Sequence, residues 1–312
     1  MPTLHPQIVE VLKMQAAAGL RPIEAMTPPE ARAQMEATAR ARKAEPLPVA
    51  RIEERSIPGP AGPIRVRLYW PSEPGPVPAI AYYHGGGHVI GSLDTHDLIA
   101  RNLCAGAGAL VTSVDYRMAP EHRFPAAVED SFAALEWLHA HAGALGADPA
   151  RLGVHGDSAG ANLAAVVALM ARDAGGPALR LQSLVYPVTD YRCASDSYDR
   201  FATGYGILTR DAMLWFRDHY LRSPADAEDW RASPILATSL AGAAPAIVVA
   251  AECDVLHDEG KAYAEALRRA GVAVEYRDYP GMIHAFFGMV PNVDDAMIAQ
   301  RAVAQSFRRA FA

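Results

Sequence analysis

Six short apolar runs, at residues 79–83, 110–114, 152–154, 184–186, 246–250 and 272–276, are spaced along the chain with helical patterns between them. The run at 79–83, Ala-Ile-Ala-Tyr-Tyr, lacks the polar alternation of a half-exposed strand, as a strand buried on both faces must. Upstream, Ile64-Arg65-Val66-Arg67-Leu68 does alternate, so one of its faces meets solvent. Between the runs, residues 132–138, 162–170 and 261–269 carry helical spacing. Strand and helix in alternation predict an α/β fold: a mostly parallel central sheet with helices on both faces.

One interval breaks the rhythm. About sixty residues separate the run ending at Tyr186 from the one beginning at Ala246, too many for a plain crossover. They include helix-like stretches at 214–216 and 219–221. This predicts a helical cap insertion at 190–235. Residues 1–50, punctuated by Pro28, Pro29, Pro46 and Pro48, read as two or three short helices followed by an extended link, and complete the cap. The catalytic α/β domain then comes in two parts, 51–189 and 236–312. With 312 residues, 51% of them hydrophobic, the chain has enough material for one large core.

Several function classes are disfavoured. The net charge of -6 argues against nucleic acid as a partner, because phosphate binding needs a basic face. Cys104, Cys193 and Cys253 form no closely spaced pair, hence no metal knuckle and no redox motif, and their odd number fits a reducing compartment. Residues 1–10 lack the pattern of a secretory leader, and no apolar stretch approaches the ~18 residues of a membrane span. The expectation is a cytoplasmic protein with no stable membrane insertion and no bound metal.

The chemistry is carried by Gly156-Asp157-Ser158-Ala159-Gly160. This G-x-S-x-G follows a strand and opens an Ala-rich helix, the context in which the motif exposes a serine on a strained strand-to-helix turn. The residues two before and two after must be small to avoid the adjoining elements, and both are glycine. His84-Gly85-Gly86-Gly87 directly follows the strand at 79–83. A glycine loop there can converge backbone N–H groups on an oxyanion. No dinucleotide or Walker pattern follows it, which disfavours a phosphate loop. In this fold the serine precedes the acid and the acid precedes the histidine. Of eleven histidines, only His219, His257 and His284 lie beyond Ser158. His219 falls in the cap and His257 at a helix start. His284, on a Gly-bearing loop after the last strand, is therefore the expected base. Asp254, after the strand at 246–250, is the expected acid. Asp258 and Glu259 open the next helix, where acids are common for dipole reasons alone, and Asp278 lies near a solvated edge.

Together these residues resemble the hormone-sensitive-lipase family of bacterial esterases, in its G-D-S-A-G branch. The likeness runs from about Ile52 to the C-terminus. Its further markers are D-Y-R-x-A-P-E at 115–121, F-P-A-A-x-E-D at 124–130, D-x-L-x-D-E at 254–259 and G-M-x-H at 281–284. The resemblance implies a capped α/β-hydrolase fold, no cofactor, and hydrolysis of short-to-medium acyl esters through a Ser158–His284–Asp254 triad and an acyl-enzyme. It also implies an oxyanion hole built from Gly86, Gly87 and Ala159. Where the family often carries Trp or an aliphatic residue after the third glycine, this chain has His88, a more polar lining. Tyr186, Ile207 and Leu208 are the other candidate pocket residues. The partner is a small-molecule ester. Amide or formamide hydrolysis with the same triad, and a non-catalytic small-molecule receptor on the same scaffold, are the alternatives.

Two further expectations concern shape. Met14, Leu20, Met26, Phe201, Met213, Leu214, Trp215 and Phe216 join Ile207 and Leu208 as candidates to roof a closed apolar pocket, setting an optimum near four to eight acyl carbons. The last strand should be a bare sheet edge, open to pairing in a homodimer.

Overall fold

The computed structural model describes residues 2–202 and 207–312. Its sheet has eight strands in the order β1-β2-β4-β3-β5-β6-β7-β8. These are β1 (Arg51–Ile57), β2 (Ile64–Trp70), β3 (Val77–Tyr83), β4 (Leu110–Asp115), β5 (Ala147–Asp157), β6 (Leu179–Val185), β7 (Ala246–Cys253) and β8 (Val274–Ile283). β2 pairs antiparallel with both β1 and β4, and every other neighbouring pair is parallel. The helices are α1 (Pro6–Ala17), α2 (Pro28–Ala41), α3 (Asp97–Ala107), α4 (Ala126–His141), α5 (Ala159–Asp173), α6 (Asp196–Arg200), α7 (Arg210–Tyr220), α8 (His257–Arg269) and α9 (Asp294–Phe311). α3 packs on α9 and α4 on α5, which gives a helical layer on each face.

Apolar content explains this arrangement. Every residue of β3 is buried, because the strand lies in the middle of the sheet with helices above and below. α5 is built almost wholly from small apolar residues and is buried from Ala159 to Leu169. Small side chains let its axis lie close to β5, so the turn between the two can be tight. Residue choice at helix starts is equally local. Thr27 and Glu30 form a capping box on α2, with Pro28 and Pro29 in the first turn. The Thr209 hydroxyl accepts the N–H of Ala212 at the start of α7.

β8 is the last strand and lies at a sheet edge, as expected. It runs further than the sequence pattern indicated, to Ile283 and through Pro280, because Pro280 needs no ladder donor on an outer strand. The edge is not bare along its whole length: the N–H of His5 donates to the Gly281 carbonyl at 3.0 Å. Both expected cap segments lie against the glycine loop. α7 from the insertion packs Phe216 against Gly87, and α2 from the N-terminal segment reaches Val89 through Arg32. Of the insertion, residues 203–206 lie outside the described residues. Among the described residues, no helix is long and apolar enough to cross a membrane, and no group of three or more His, Cys, Asp or Glu is placed to hold a metal ion.

Candidate active site

The expected catalytic residues meet at the carboxyl ends of the strands. β5 ends at Asp157 and α5 begins at Ala159, which leaves Ser158 alone at φ 56°, ψ −119°. A non-glycine residue keeps such a conformation only where its surroundings impose it. Here the surroundings are two glycines. A Cβ on Gly156 would lie 2.1 Å from the Gly160 carbonyl oxygen, and one on Gly160 would lie 1.9 Å from that of Tyr83. No side chain fits at either position, so the strand and helix close around Ser158 with its hydroxyl outward. His284 follows directly on β8, and its Nε2 lies 2.9 Å from Ser158 Oγ. Its Nδ1 lies 2.7 Å from Asp254 Oδ2, just beyond the end of β7. The other Asp254 oxygen accepts the N–H of Leu256 at 3.0 Å, so the carboxylate is fixed at both ends. Ser158, Asp254 and His284 are all buried.

The other candidate acids and bases are engaged elsewhere. His257 lies between Asp258 and Asp278 at 2.9 Å from each, and Asp258 also receives Arg200. The hydrogen bond to Asp278, partly offset by burial and helped by Asp258, holds the His257 ring above the usual imidazole range. Asp278 is therefore half-exposed but hydrogen-bonded to His257, where the sequence suggests only solvation. Glu259 accepts the N–H groups of Thr189 at 2.7 Å and Asp190 at 3.2 Å, fastening the start of the cap insertion. A second serine–histidine contact, His155 Nδ1 to Ser183 Oγ at 3.0 Å, is wholly buried between neighbouring strands. Burial pushes the His155 ring down to about 4, so the pair is neutral packing that no substrate reaches.

Three N–H groups, two in the glycine loop and one at the start of α5, are without a partner. Among the described residues, none of Gly86, Gly87 and Ala159 gives its N–H to a protein acceptor. Gly86 (φ 113°) and Gly87 (φ 61°) adopt backbone conformations that glycine alone takes readily. A Cβ on Gly87 would enter the Phe216 ring. Ala159 is the first residue of α5, where helix N–H groups have no intrahelical acceptor. Such a set can bind an oxyanion if the loop holds its shape.

Much of the support for that loop was not visible in the sequence. The His84 ring lies flat on Tyr116 at 4.5 Å, and the Tyr116 hydroxyl donates to the His84 carbonyl at 2.7 Å. Burial, with His96 nearby, drives the His84 ring down to about 3. Asp157, the variable residue of the elbow motif, accepts the Tyr82 hydroxyl at 3.0 Å and lies 3.5 Å from His96 Nε2. Burial would raise its carboxyl, but His96, His155 and Tyr82 together bring it down to about 2. Two of the sequence markers join: Arg117 of D-Y-R-x-A-P-E is tied at 2.8 Å to the buried carboxylate of Asp130 in F-P-A-A-x-E-D.

The pocket residues divide. The Tyr186 ring, at φ 36°, lies 4.6 Å from the His284 ring. Ile207 and Leu208 are half-buried and packed on the core. His88 differs from expectation. It is wholly buried and stacked on Tyr220 at 3.9 Å, with Tyr116 and Tyr191 beside it, so it adds no polar wall. Its ring lies against α7, whose last residue is Tyr220. Met14 does not roof anything, being 58% exposed on α1. Met26, Phe201, Met213 and Phe216 are buried, and Leu20, Leu214 and Trp215 half-buried.

A family model described as alpha/beta hydrolase fold matches residues 80–288. The chain belongs to the alpha/beta-hydrolase family. Its hormone-sensitive-lipase type is borne out by the relatives it matches. It is 49% identical over 244 residues to the carboxylic ester hydrolase LipN of Mycobacterium tuberculosis, a match covering 76% of this chain and 65% of that longer protein. It is 40% identical over 307 residues to an ethyl acetate hydrolase of Pseudomonas putida, covering 94% of this chain and 95% of the relative. A solved Pyrobaculum calidifontis esterase superposes with a TM-score of 0.92 at 40% identity, over 99% of this chain and all of the other. In this hydrolase the glycine loop, the elbow and the histidine loop all lie at the carboxyl edge of the sheet, at the ends of β3, β5 and β8.

Two outcomes follow from this geometry. Asp254→Asn should keep the fold and cost about 10⁴ in turnover, because the amide holds the wrong imidazole tautomer. Asp258→Asn should leave turnover near wild type, since that carboxylate serves His257 and Arg200; a reversed ranking in ester assays would reassign the acid. His88 is held at about 3 by burial and by His84, against about 6.5 in an unfolded chain. The unfolded state therefore takes up a proton as pH drops below about 6.5 while the folded state does not, so this contribution to stability is lost as pH falls from there toward 3. His88→Phe should keep the stack on Tyr220 and flatten the decline by up to one proton, about 1.4 kcal/mol per pH unit. Urea midpoints between pH 7.5 and 4.5 that fall equally steeply in both proteins would contradict this.

Proposed function

We propose that this protein hydrolyses short-to-medium acyl esters of carboxylic acids by two-step acyl transfer through Ser158. The observation that carries the reading is the continuous hydrogen-bonded line Asp254–His284–Ser158, and the unpaired N–H groups of Gly86, Gly87 and Ala159 support it. The Ser158 hydroxyl attacks the ester carbonyl while His284 Nε2 takes its proton. The carbonyl oxygen becomes an oxyanion held by the N–H groups of Gly86, Gly87 and Ala159. Collapse breaks the ester C–O bond, and His284 returns its proton to the departing alcohol. Water then gives a proton to His284 and attacks the acyl-serine, freeing the acid and restoring the Ser158 hydroxyl. Asp254 orients the imidazole and stabilises its charged form throughout.

The cap supports a short acyl chain. Phe216 from the cap lies against Gly87, and the Tyr186 ring lies against His284. Ser158 is 8% exposed and His284 7%, so substrate enters an enclosed site rather than an open lipid-docking plane. Each CH₂ buried there gains about 0.8 kcal/mol, near fourfold in kcat/KM, until the space is full. A further carbon must stay wet or lift the cap, at about 1–3 kcal/mol.

A panel of esters from about two to sixteen acyl carbons, with matched amides and with and without emulsion, tests both points. kcat/KM should peak near four to eight carbons, the amides should be much slower, and emulsion should bring no jump. A maximum at twelve or more carbons, or activation by emulsion, would defeat the enclosed-pocket reading. Amides faster than esters would make the protein an amidase, and binding without turnover a receptor.

A further inference from the structure

We infer that Arg32, on cap helix α2, is a positioning residue that holds the glycine loop in the shape the oxyanion requires. The inference rests on the esterase reading above. Arg32 spends its guanidinium on three different targets. Nε donates to the Val89 carbonyl at 2.8 Å, and Nη2 to the Ala119 carbonyl at 2.7 Å. Nη1 and Nη2 together grip the Glu121 carboxylate at 2.8 and 2.6 Å. Ala119 is bound on its other side too, where its N–H donates to the His88 carbonyl at 2.8 Å. Arg32, 88–89 and 119–121 thus form a closed ring of bonds two residues past the Gly87 N–H. One turn further along α2, on the same helix face, Glu36 accepts the Ser92 hydroxyl at 2.5 Å, a second tie to the segment that follows.

The loop needs such support because it has little of its own. Residues 85–87 are all glycine, and glycine backbones adopt many conformations at similar cost. Within the loop, the Gly86 carbonyl accepts the N–H groups of Val89 at 3.0 Å and Ile90 at 2.9 Å, which fixes one turn but not its direction. The Cβ-sized gap at Gly87 is closed by Phe216, a contact that limits the loop without orienting its N–H groups. Arg32 supplies direction, because a planar fork binds two carbonyls and a carboxylate only in one orientation. Stability alone is a weak account of the contact. Glu121 is 53% exposed, and an ion pair at such a surface contributes little. The Arg32 hydrogen bond nonetheless brings the Glu121 carboxyl down to about 2, so the fork keeps its partner throughout the working pH range. The α2 cap helix and the oxyanion site are therefore mechanically one unit: a shift of the helix moves the Val89 carbonyl and, through it, the Gly86 and Gly87 donors.

The test compares Arg32→Ala, Arg32→Lys and Glu121→Gln on a short ester, with melting temperature and near-ultraviolet circular dichroism as controls on folding. Displaced donors should lower kcat by about tenfold to a hundredfold, with KM within about threefold, because the donors act on the oxyanion and not on the ground-state ester. A boronic acid, which binds serine hydrolases as a tetrahedral anion, should lose affinity by the same factor. Lysine can reach only one of the three targets, so Arg32→Lys should recover little. Added guanidinium ion should restore part of kcat in Arg32→Ala. Glu121→Gln, which leaves both carbonyl bonds in place, should fall within about threefold of wild type. The inference is overturned if folded Arg32→Ala or Arg32→Lys keeps kcat and boronate affinity within twofold. It is equally overturned if the loss appears in KM alone. A wild-type protein inactive on every ester would instead count against the esterase reading itself.

Discussion

The close approach of Gly160 to the Tyr83 carbonyl, and of Gly156 to the Gly160 carbonyl, is the constraint on which the rest of this molecule depends. It brings the end of β5, the start of α5 and the end of β3 into contact with no side chain between them. Three consequences follow at once. Ser158 is forced to φ 56° with its hydroxyl toward the carboxyl edge of the sheet. α5 begins at the very next residue, so its first N–H, that of Ala159, adjoins the serine along the chain. The glycine loop, which leaves β3 one residue beyond Tyr83, must pass within reach of both.

Around that contact the structure is a set of loops held by polar clamps on a rigid apolar sheet. The sheet positions Asp254 and His284 because β7 and β8 end side by side, with Ala251 opposite Tyr279 and Cys253 opposite Ile283. The clamps do the finer work. Asp157, with Tyr82 and His96, ties the elbow to the strand carrying the glycine loop. Tyr116 holds His84 at the start of that loop. Arg32 holds it beyond its last glycine, from the cap side, through the Val89 and Ala119 carbonyls. The Glu252 carboxylate accepts the Gly281 N–H at 2.8 Å, fixing the turn that leads to His284. Most of these groups are neutral or paired, as buried polar groups must be.

What the sequence revealed, and what it hid, follows the range of each interaction. The elbow is a five-residue feature flanked by its own strand and helix, so its shape can be read locally. The order of serine, acid and histidine narrowed the triad, because each follows a strand recognisable by its apolar run. Clamps are different. Arg32 lies 57 residues from Val89 and 89 from Glu121, and nothing in its own neighbourhood marks it. Glu121, its carboxylate partner, falls in the D-Y-R-x-A-P-E marker, but that marker says nothing of Arg32. His88 is a related case: its place beside the glycines suggests a polar lining, and the Tyr220 ring that covers it comes from a helix far along the chain. Met14 shows the same limit from the other side. Its hydrophobicity suggested a roof, and α1 presents it to solvent.

The claim at the centre of this account is that Ser158 is a nucleophile made reactive by its turn and by His284. The most direct measurement is covalent labelling by an organophosphate ester, followed by peptide mass spectrometry. The account predicts one phosphoryl group per chain, on the peptide holding Ser158, with loss of ester turnover in proportion to labelling and no uptake in Ser158→Ala. Uptake on another residue, or full labelling that leaves turnover intact, would contradict it.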